Sequence, residues 1–314
     1  MSNAPLSLFS AASEAAARIA GLAWFMIIVS TVIFVGVVTT MVLAVFRNRG
    51  RPPEVDLTER GRGWVVWGGA VMPGIVLVAV FAVALHAMGT FSPATPALTV
   101  HVTGRQWWWQ VDYLRPDGST QFRTANEIHV PVGKVVRVLL TSKDVIHSFW
   151  IPQLQGKLDA TPGQTSDLRL DARRAGTFSG ACSEFCGQQH AHMAMSVIAE
   201  SDSAFATWIA AQTRNAEVSA DSSASTGRTL FASGMCASCH TIRGLTTGSD
   251  SAPDLTHVAS RATIAGGRLP TTLGNLEGWI ANPQALKPGT KMPTLRFYNG
   301  PQLRALAAYV ESLK

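Results

Sequence analysis

Four cysteines in a chain of 314 residues fall into two local pairs, and each pair has histidines beside it. Cys236-Ala-Ser-Cys239-His240 has the form of a c-type haem attachment site. Two thiols three positions apart can form thioethers with the haem vinyl groups, while the next imidazole swings onto the iron. Such a haem needs a second axial ligand. Met292, in Lys287-Pro-Gly-Thr-Lys-Met-Pro293, follows at a distance suited to a small haem domain, in a Pro and Gly context that can close over one haem face. His257 competes for that role. A redox Cys-x-x-Cys or half of a zinc site is the plainer reading of the motif.

The second constellation is Cys182-Ser-Glu184-Phe-Cys186-Gly-Gln-Gln-His190-Ala-His-Met193, joined by His147 from Lys143-Asp-Val-Ile-His147-Ser-Phe-Trp150. Two thiolates, two imidazoles and a thioether are soft ligands that select copper or zinc, and a weak Met beside Cys and His is a mark of copper electron transfer. Two thiolates can bridge two copper ions, each completed by one His and one weak outer ligand. Met193 would serve one ion and the backbone carbonyl of Glu184 the other. A structural zinc held by Cys182, Cys186, His190 and His147 is the competing reading. His192 either faces solvent or orients a neighbour. Upstream, Trp107-Trp-Trp109 presents three adjacent indoles; strand alternation would send Trp107 and Trp109 to one face and Trp108 to the other. The cluster suits a docking patch with a tunnelling contact to copper, or core packing for one or two of the rings.

The elements that must position these groups begin with two apolar runs. Ile19 to Phe46 has no charged side chain, and Gly63 to Thr90 has no Asp, Glu, Lys or Arg. About 20 apolar residues cross a bilayer, so each run can span it; Pro73 should kink the second. The connection carries Arg47, Arg49, Arg51, Arg60 and Arg62, which places it on the cytoplasmic side and both chain ends outside. The first seventeen residues contain no Lys or Arg, so retention of the first span as an anchor is favoured over a cleaved signal peptide. The expected organisation is an extracytoplasmic tail at 1–18 and a transmembrane hairpin at 19–90, with helices near 19–46 and 64–89 and a loop at 47–62. An exported β-domain at 91–205, a linker at 206–226 and a helical domain at 227–314 follow.

In the β-domain, short runs at His101 to Thr103, Glu127 to Val130 and Val135 to Leu140 alternate with turns at Asp117-Gly118, Pro131 to Gly133 and Pro162-Gly163, as in a Greek-key sandwich or barrel. The Ser- and Ala-rich stretch from Ser201 to Ser225 reads as a solvated linker with a short helical piece around Ala204 to Ala211. Leu273 to Ala281 and Pro301 to Leu313 are the clearest helices beyond it, and Gly227 to Gly234 leads a short helix to the cysteines. With 47% hydrophobic and only 15% charged residues, the chain is neither disordered nor an ordinary cytosolic enzyme. Its net charge of +6 is not gathered into one basic stripe, which argues against nucleic acid as a partner. The positive excess lies from Gly227 onward, where it could steer an acidic protein partner.

On these motifs, residues 15 to 200 resemble subunit II of the haem–copper cytochrome c oxidases, and the tail resembles the cytochrome c domain fused to caa3-type members. The resemblance implies a membrane-anchored multi-domain fold: a two-helix hairpin, an all-β cupredoxin domain and an all-α class I cytochrome c domain. It assigns a dinuclear copper centre (CuA) to His147, Cys182, Glu184, Cys186, His190 and Met193, and electron arrival to Trp107. Cys236, Cys239, His240 and Met292 match the haem attachment and axial positions, Pro253 lies where a loop carbonyl orients the proximal His, and Glu184 matches a residue reaching a Mg2+ shared with the catalytic subunit. The implied chain is the non-catalytic electron-receiving subunit of an oxidase in a bacterial cell membrane. Its partners would be membrane lipid, a subunit I with haems and CuB, a subunit III, and a donor such as a cytochrome bc complex or cytochrome c.

Two departures stand out. The carboxylate that relatives place near the cytoplasmic start of the second helix is missing from Gly63 to Thr90, leaving Glu59 as the nearest candidate. Trp108 and Trp109 replace a mix of aromatics. Rival functions are a nitrous oxide reductase, which would need a histidine-rich catalytic domain, a membrane-tethered electron-transfer or sensor protein not coupled to dioxygen, and a zinc-holding assembly protein.

Overall fold

The computed structural model describes residues 6–47, 60–88, 95–217 and 221–314. It divides into two compact units, residues 17–93 and residues 94–314 together with 1–16. Most of the expected loop, including Glu59, lies outside the described residues.

Helix α1 (Glu14–Arg47) starts five residues before the first expected apolar position. Ser13 explains the early start: its hydroxyl accepts from the Ala16 amide at 3.0 Å, and Glu14 places a negative charge in the first turn. Helix α2 runs as Arg60–Val66, a π-helical stretch Trp67–Val71 and Met72–Met88. Pro73 has no N–H to donate, and the wider π turn just before it absorbs the disruption. Both helices have membrane length, with mean hydropathy of 2.5 and 2.3. Their large side chains, such as Phe34, Leu43, Leu77 and Phe81, are exposed, which water would penalise and lipid would not.

The β-domain contains β1 (Leu98–Arg105), β2 (Trp108–Leu114), β3 (Thr120–Ala125), β4 (Glu127–Pro131), β5 (Val135–Ser142), β6 (His147–Trp150), β7 (Leu158–Ala160), β8 (Ser166–Asp171), β9 (Gly176–Cys182) and β10 (Ala194–Glu200). One sheet is ordered β3-β2-β1-β5-β8 and the other β4-β10-β9-β6-β7, with β1–β5 and β4–β10 parallel and the remaining pairs antiparallel. Alternation along β5 and β10 sends Val136, Val138, Leu140, Met195 and Val197 into a core shared with Trp109, Phe149 and Phe178.

The helical piece expected around Ala204 to Ala211 is present and longer, and residues 214–217 after it are irregular. Helix α3 (Asp202–Thr213) is capped by Ser201 and packs Trp208 onto the sandwich. That indole stacks on the His129 ring at 4.0 Å and lies 5.2 Å from Tyr113 and 5.5 Å from Phe122. One aromatic ring in a Ser/Ala-rich stretch is enough to change its fate.

The last domain holds α4 (Ser222–Ser233), α5 (Cys236–Cys239), a two-stranded hairpin of β11 (Thr263–Ile264) and β12 (Leu269–Pro270), then α6 (Leu273–Ala281), α7 (Pro283–Leu286) and α8 (Gly300–Ser312). Asn299 opens α8 with a capping box closed by Gln302. Helices α4 and α8 meet so closely at Gly227 that an added Cβ would stand 1.9 Å from the Ala305 carbonyl oxygen. Phe231, Leu276, Ile280, Leu306, Tyr309 and Val310 form the core under this crossing.

This last domain sits against the sandwich within one unit. Asp250 bonds both Arg105 and Arg123, at 2.6 and 2.7 Å, and the Ala262 amide donates to Glu127 at 2.6 Å.

Candidate metal and haem centres

Strand β6 supplies His147, the end of β9 supplies Cys182, and the loop from there to β10 supplies Glu184, Cys186, His190 and Met193. The Sγ atoms of Cys182 and Cys186 lie 3.8 Å apart, far beyond the ~2.05 Å of a disulfide. Both cysteines are buried and free. His147 Nδ1 is 3.8 Å from Cys182 Sγ, and the Glu184 carbonyl accepts from that thiol at 3.3 Å. On the other side, Cys186 Sγ lies 3.6 Å from His190 Nδ1 and 3.9 Å from Met193 Sδ. The donor groups therefore divide into two halves about a central sulfur pair, each with one imidazole and one weak donor.

Electrostatics agree with a pair that gives up one proton readily and the second with difficulty. The Cys186 thiol bonded to Cys182 holds the Cys182 pKa far below the ordinary thiol value, and that negative charge pushes Cys186 upward. Bringing two anionic sulfurs together demands cations between them.

His147 is fully buried, and its Nε2–H donates to Asp144 at 2.8 Å, which leaves the Nδ1 lone pair facing sulfur. Burial opposes the Asp144 charge, but the His147 bond and the amides of Gln106 and Val145 outweigh it and hold the carboxyl at about 2. Asp144 was not among the sequence-derived site residues, although it stands three positions before His147 and carries the right chemistry to orient it.

Met193 is the discriminating donor. Its thioether is 1% exposed and joins the thiolates, whereas a structural zinc site of two Cys and two His has no use for it. The donor set fits copper.

Trp107 and Trp109 are both buried in the sandwich core while Trp108 is half-buried, the partition that alternation predicts, but strand geometry does not produce it for Trp107. Trp107 lies in the turn between β1 and β2 rather than in a strand, so its direction is set by the turn. Its indole N–H donates to the Cys186 carbonyl at 2.9 Å. Trp109 is wholly buried and belongs to the core, and Trp108 lies under the Arg105 guanidinium. His192 is not among the sulfur neighbours; its ring bonds the Gln189 side chain at 2.7 Å.

In the last domain, Cys236, Cys239, His240 and Met292 line one cavity, open at its mouth. Its walls include Phe231, Leu276, Ile280 and Leu306, and are overwhelmingly apolar. His240 Nδ1–H donates to the Pro253 carbonyl at 2.8 Å, so Nε2 keeps its lone pair. Deep burial lowers the His240 pKa and keeps the ring neutral, as an iron ligand must be. His257 does not line the cavity; its Nε2–H donates to the Arg214 carbonyl at 2.9 Å. These residues fit a covalently held haem. Gln106, Trp107 and Trp108 of the sandwich complete the same cavity.

Comparison with known proteins agrees on both halves. A family described as cytochrome c oxidase subunit II, periplasmic domain, matches residues 112–200, and cytochrome c matches residues 224–314. Cytochrome c oxidase subunit 2 of Alkalihalophilus pseudofirmus is 33% identical over 92% of this chain and 84% of its own length. The Bacillus subtilis subunit is 32% identical over 70% of this chain and 64% of its own. The crystal structure of the periplasmic domain of subunit II from Bradyrhizobium japonicum is 35% identical, with a TM-score of 0.36 over 38% of this chain and 96% of that one. The haem domain thus accompanies the oxidase domain in one membrane protein with extracytoplasmic domains, a non-catalytic electron-transfer subunit that associates with a catalytic subunit. The chain belongs to the cytochrome c oxidase subunit 2 family.

Proposed function

We propose that this chain receives electrons for an aerobic terminal oxidase in a bacterial cell membrane, in the manner of caa3-type enzymes. Electrons come from an external donor such as a cytochrome bc complex or cytochrome c, and leave for a subunit I with haems and CuB that reduces dioxygen to water; subunit III completes the complex. When bound, a dinuclear copper and a haem c would supply one-electron redox chemistry. His147, Cys182, Glu184 through its carbonyl, Cys186, His190 and Met193 would hold the metal pair. Cys236 and Cys239 would tether the haem, with His240 and Met292 as its axial ligands.

The observation that carries this reading is the shared cavity. The haem-attachment residues face Trp107, and the Trp107 indole is bonded to the backbone of Cys186, so the two ligand sets are joined by one side chain. His147, Cys182, Cys186 and Met193 are buried, which limits reorganisation when charge changes. The exposed Glu184 carboxylate is free of the sulfur cluster and is available to a Mg2+ at the catalytic subunit. No group in this chain acts as an acid or base on a substrate.

Dithionite titration of the purified chain, followed by visible and electron paramagnetic resonance spectroscopy with metal analysis, tests the reading. The expected result is haem c bands together with a mixed-valence signal from a copper pair. Zinc at Cys182 and Cys186, or haem bands with no such signal, would overturn it.

A further inference from the structure

Lys287 is one of the most buried side chains in the molecule, at 2% exposure, yet it ends in a cation. A buried ammonium is costly unless every N–H is taken. Here Nζ lies 2.7 Å from the Trp107 carbonyl, 2.9 Å from the His192 carbonyl and 3.0 Å from the Ala265 carbonyl. Two of these acceptors belong to the sandwich and one to the haem domain. Burial brings the Lys287 pKa down to about 8, so at neutral pH the group is still mainly the three-donor ammonium that three carbonyls require.

The surroundings are shaped around this group. Gly266 has φ +72°, and a Cβ there would meet Nζ at 2.6 Å and the Trp107 oxygen at 2.9 Å. The Gly266 carbonyl accepts from the Ala194 amide at 2.9 Å, and the Pro288 carbonyl accepts from Gln189 at 2.7 Å. Lys287 also stands five residues before Met292 in the same loop. One side chain thereby touches the loop that lines the haem cavity, the residue whose indole reaches Cys186, and the segment that precedes Met193.

We propose that Lys287 is a positioning residue for electron delivery, its ammonium clamping the haem domain onto the sandwich so that Trp107 is kept in the wall of the haem-attachment cavity. The inference deepens the relay reading above and rests on it. Without the clamp the two domains keep their ligands but lose a fixed separation, and small displacements between reacting centres are expensive in rate.

The test uses Lys287→Met in the intact chain assembled with its catalytic subunit. Hydrogen exchange at the Ala194 amide, measured by mass spectrometry or NMR, should accelerate by about tenfold or more. Electron equilibration between haem and copper after rapid reduction should slow by about tenfold or more and become viscosity-dependent. The haem and copper spectra should stay unchanged, which a general structural collapse would not permit. Lys287→Gln, with an amide offering two N–H donors, should fall between, and it decides the matter by the same criteria if the Met variant does not accumulate. Wild-type exchange and transfer rates in these variants, or faster exchange with an unaltered transfer rate, would overturn the proposal. Failure of the wild-type haem to reduce copper at all would instead overturn the relay reading.

Discussion

At the scale of single residues, the sulfur pair organises everything near it. Because His147 keeps its lone pair toward Cys182 only while Nε2–H is held by Asp144, Asp144→Asn should weaken metal binding by about 10–100-fold, read by competition with a chelator. Unchanged affinity would show that packing alone orients the ring. Cys186→Ser should remove the coupled two-metal signature while leaving haem c bands intact, since Cys236 and Cys239 lie in the other domain; loss of both signals would contradict independent sites. The grouping of these side chains was legible in the sequence because each cysteine pair sits within a few positions of a histidine, and metal chemistry restricts which side chains could serve. Asp144 was less legible, since a carboxylate three residues from a histidine has many ordinary uses. Lys287 gave no signal at all: its role depends on three carbonyls contributed by distant turns, and backbone oxygens carry no residue identity.

At the scale of elements, helix α3 and strand β4 meet around His129. Burial disfavours its charged ring, but the carboxylates of Glu127 and Glu200 outweigh this and raise its pKa, with Glu200 at 2.7 Å. A raised folded-state pKa means stability that is complete below about 6.5 and is lost as pH climbs through the folded value. The midpoint of thermal unfolding should therefore fall as pH rises above about 6.5, and His129→Gln should remove that part of the slope. An identical slope in the variant would assign it elsewhere. Gly227→Ala should destabilise the haem domain by about 1–3 kcal/mol, because the backbone of α8 must retreat from the new methyl group; a neutral effect by calorimetry would mean the crossing is loosely packed. Parts of β1, β4 and β5 and the two late helices were readable from short apolar or alternating runs, turn residues and an apolar stripe. The helical piece around Ala204 to Ala211 was readable too, but not the docking of its Trp208, because the partner is a ring far away in the chain. The turn holding Trp107 was hidden for a similar reason: three identical residues in a row give alternation nothing to distinguish.

At the scale of the whole molecule, the two redox domains share one cavity, and their contact is partly ionic. Asp250 is half exposed, so its bonds to Arg105 and Arg123 contribute only about 1 kcal/mol or less. Raising ionic strength should modestly speed exchange at the Ala262 amide in the wild type, and Asp250→Asn should abolish most of that salt response. A salt response of equal size in the variant would remove Asp250 from the interface account. The domain content was visible in the sequence as two separate motifs. Their mutual arrangement was not, since a connecting segment specifies reach rather than orientation.

The residues ahead of the first span have a topological consequence. The Ala12 amide donates to Gln153 and the Ala12 carbonyl accepts from Arg173, both at 2.8 Å, while Ser13 donates to the Leu154 carbonyl at 2.5 Å. A segment bonded in this way must share a compartment with the sandwich it touches. Two crossings separate it from that sandwich, and an even number returns a chain to its starting side. Two membrane-length helices therefore agree with this shared compartment, a conclusion reached by counting passages and independent of any charge bias.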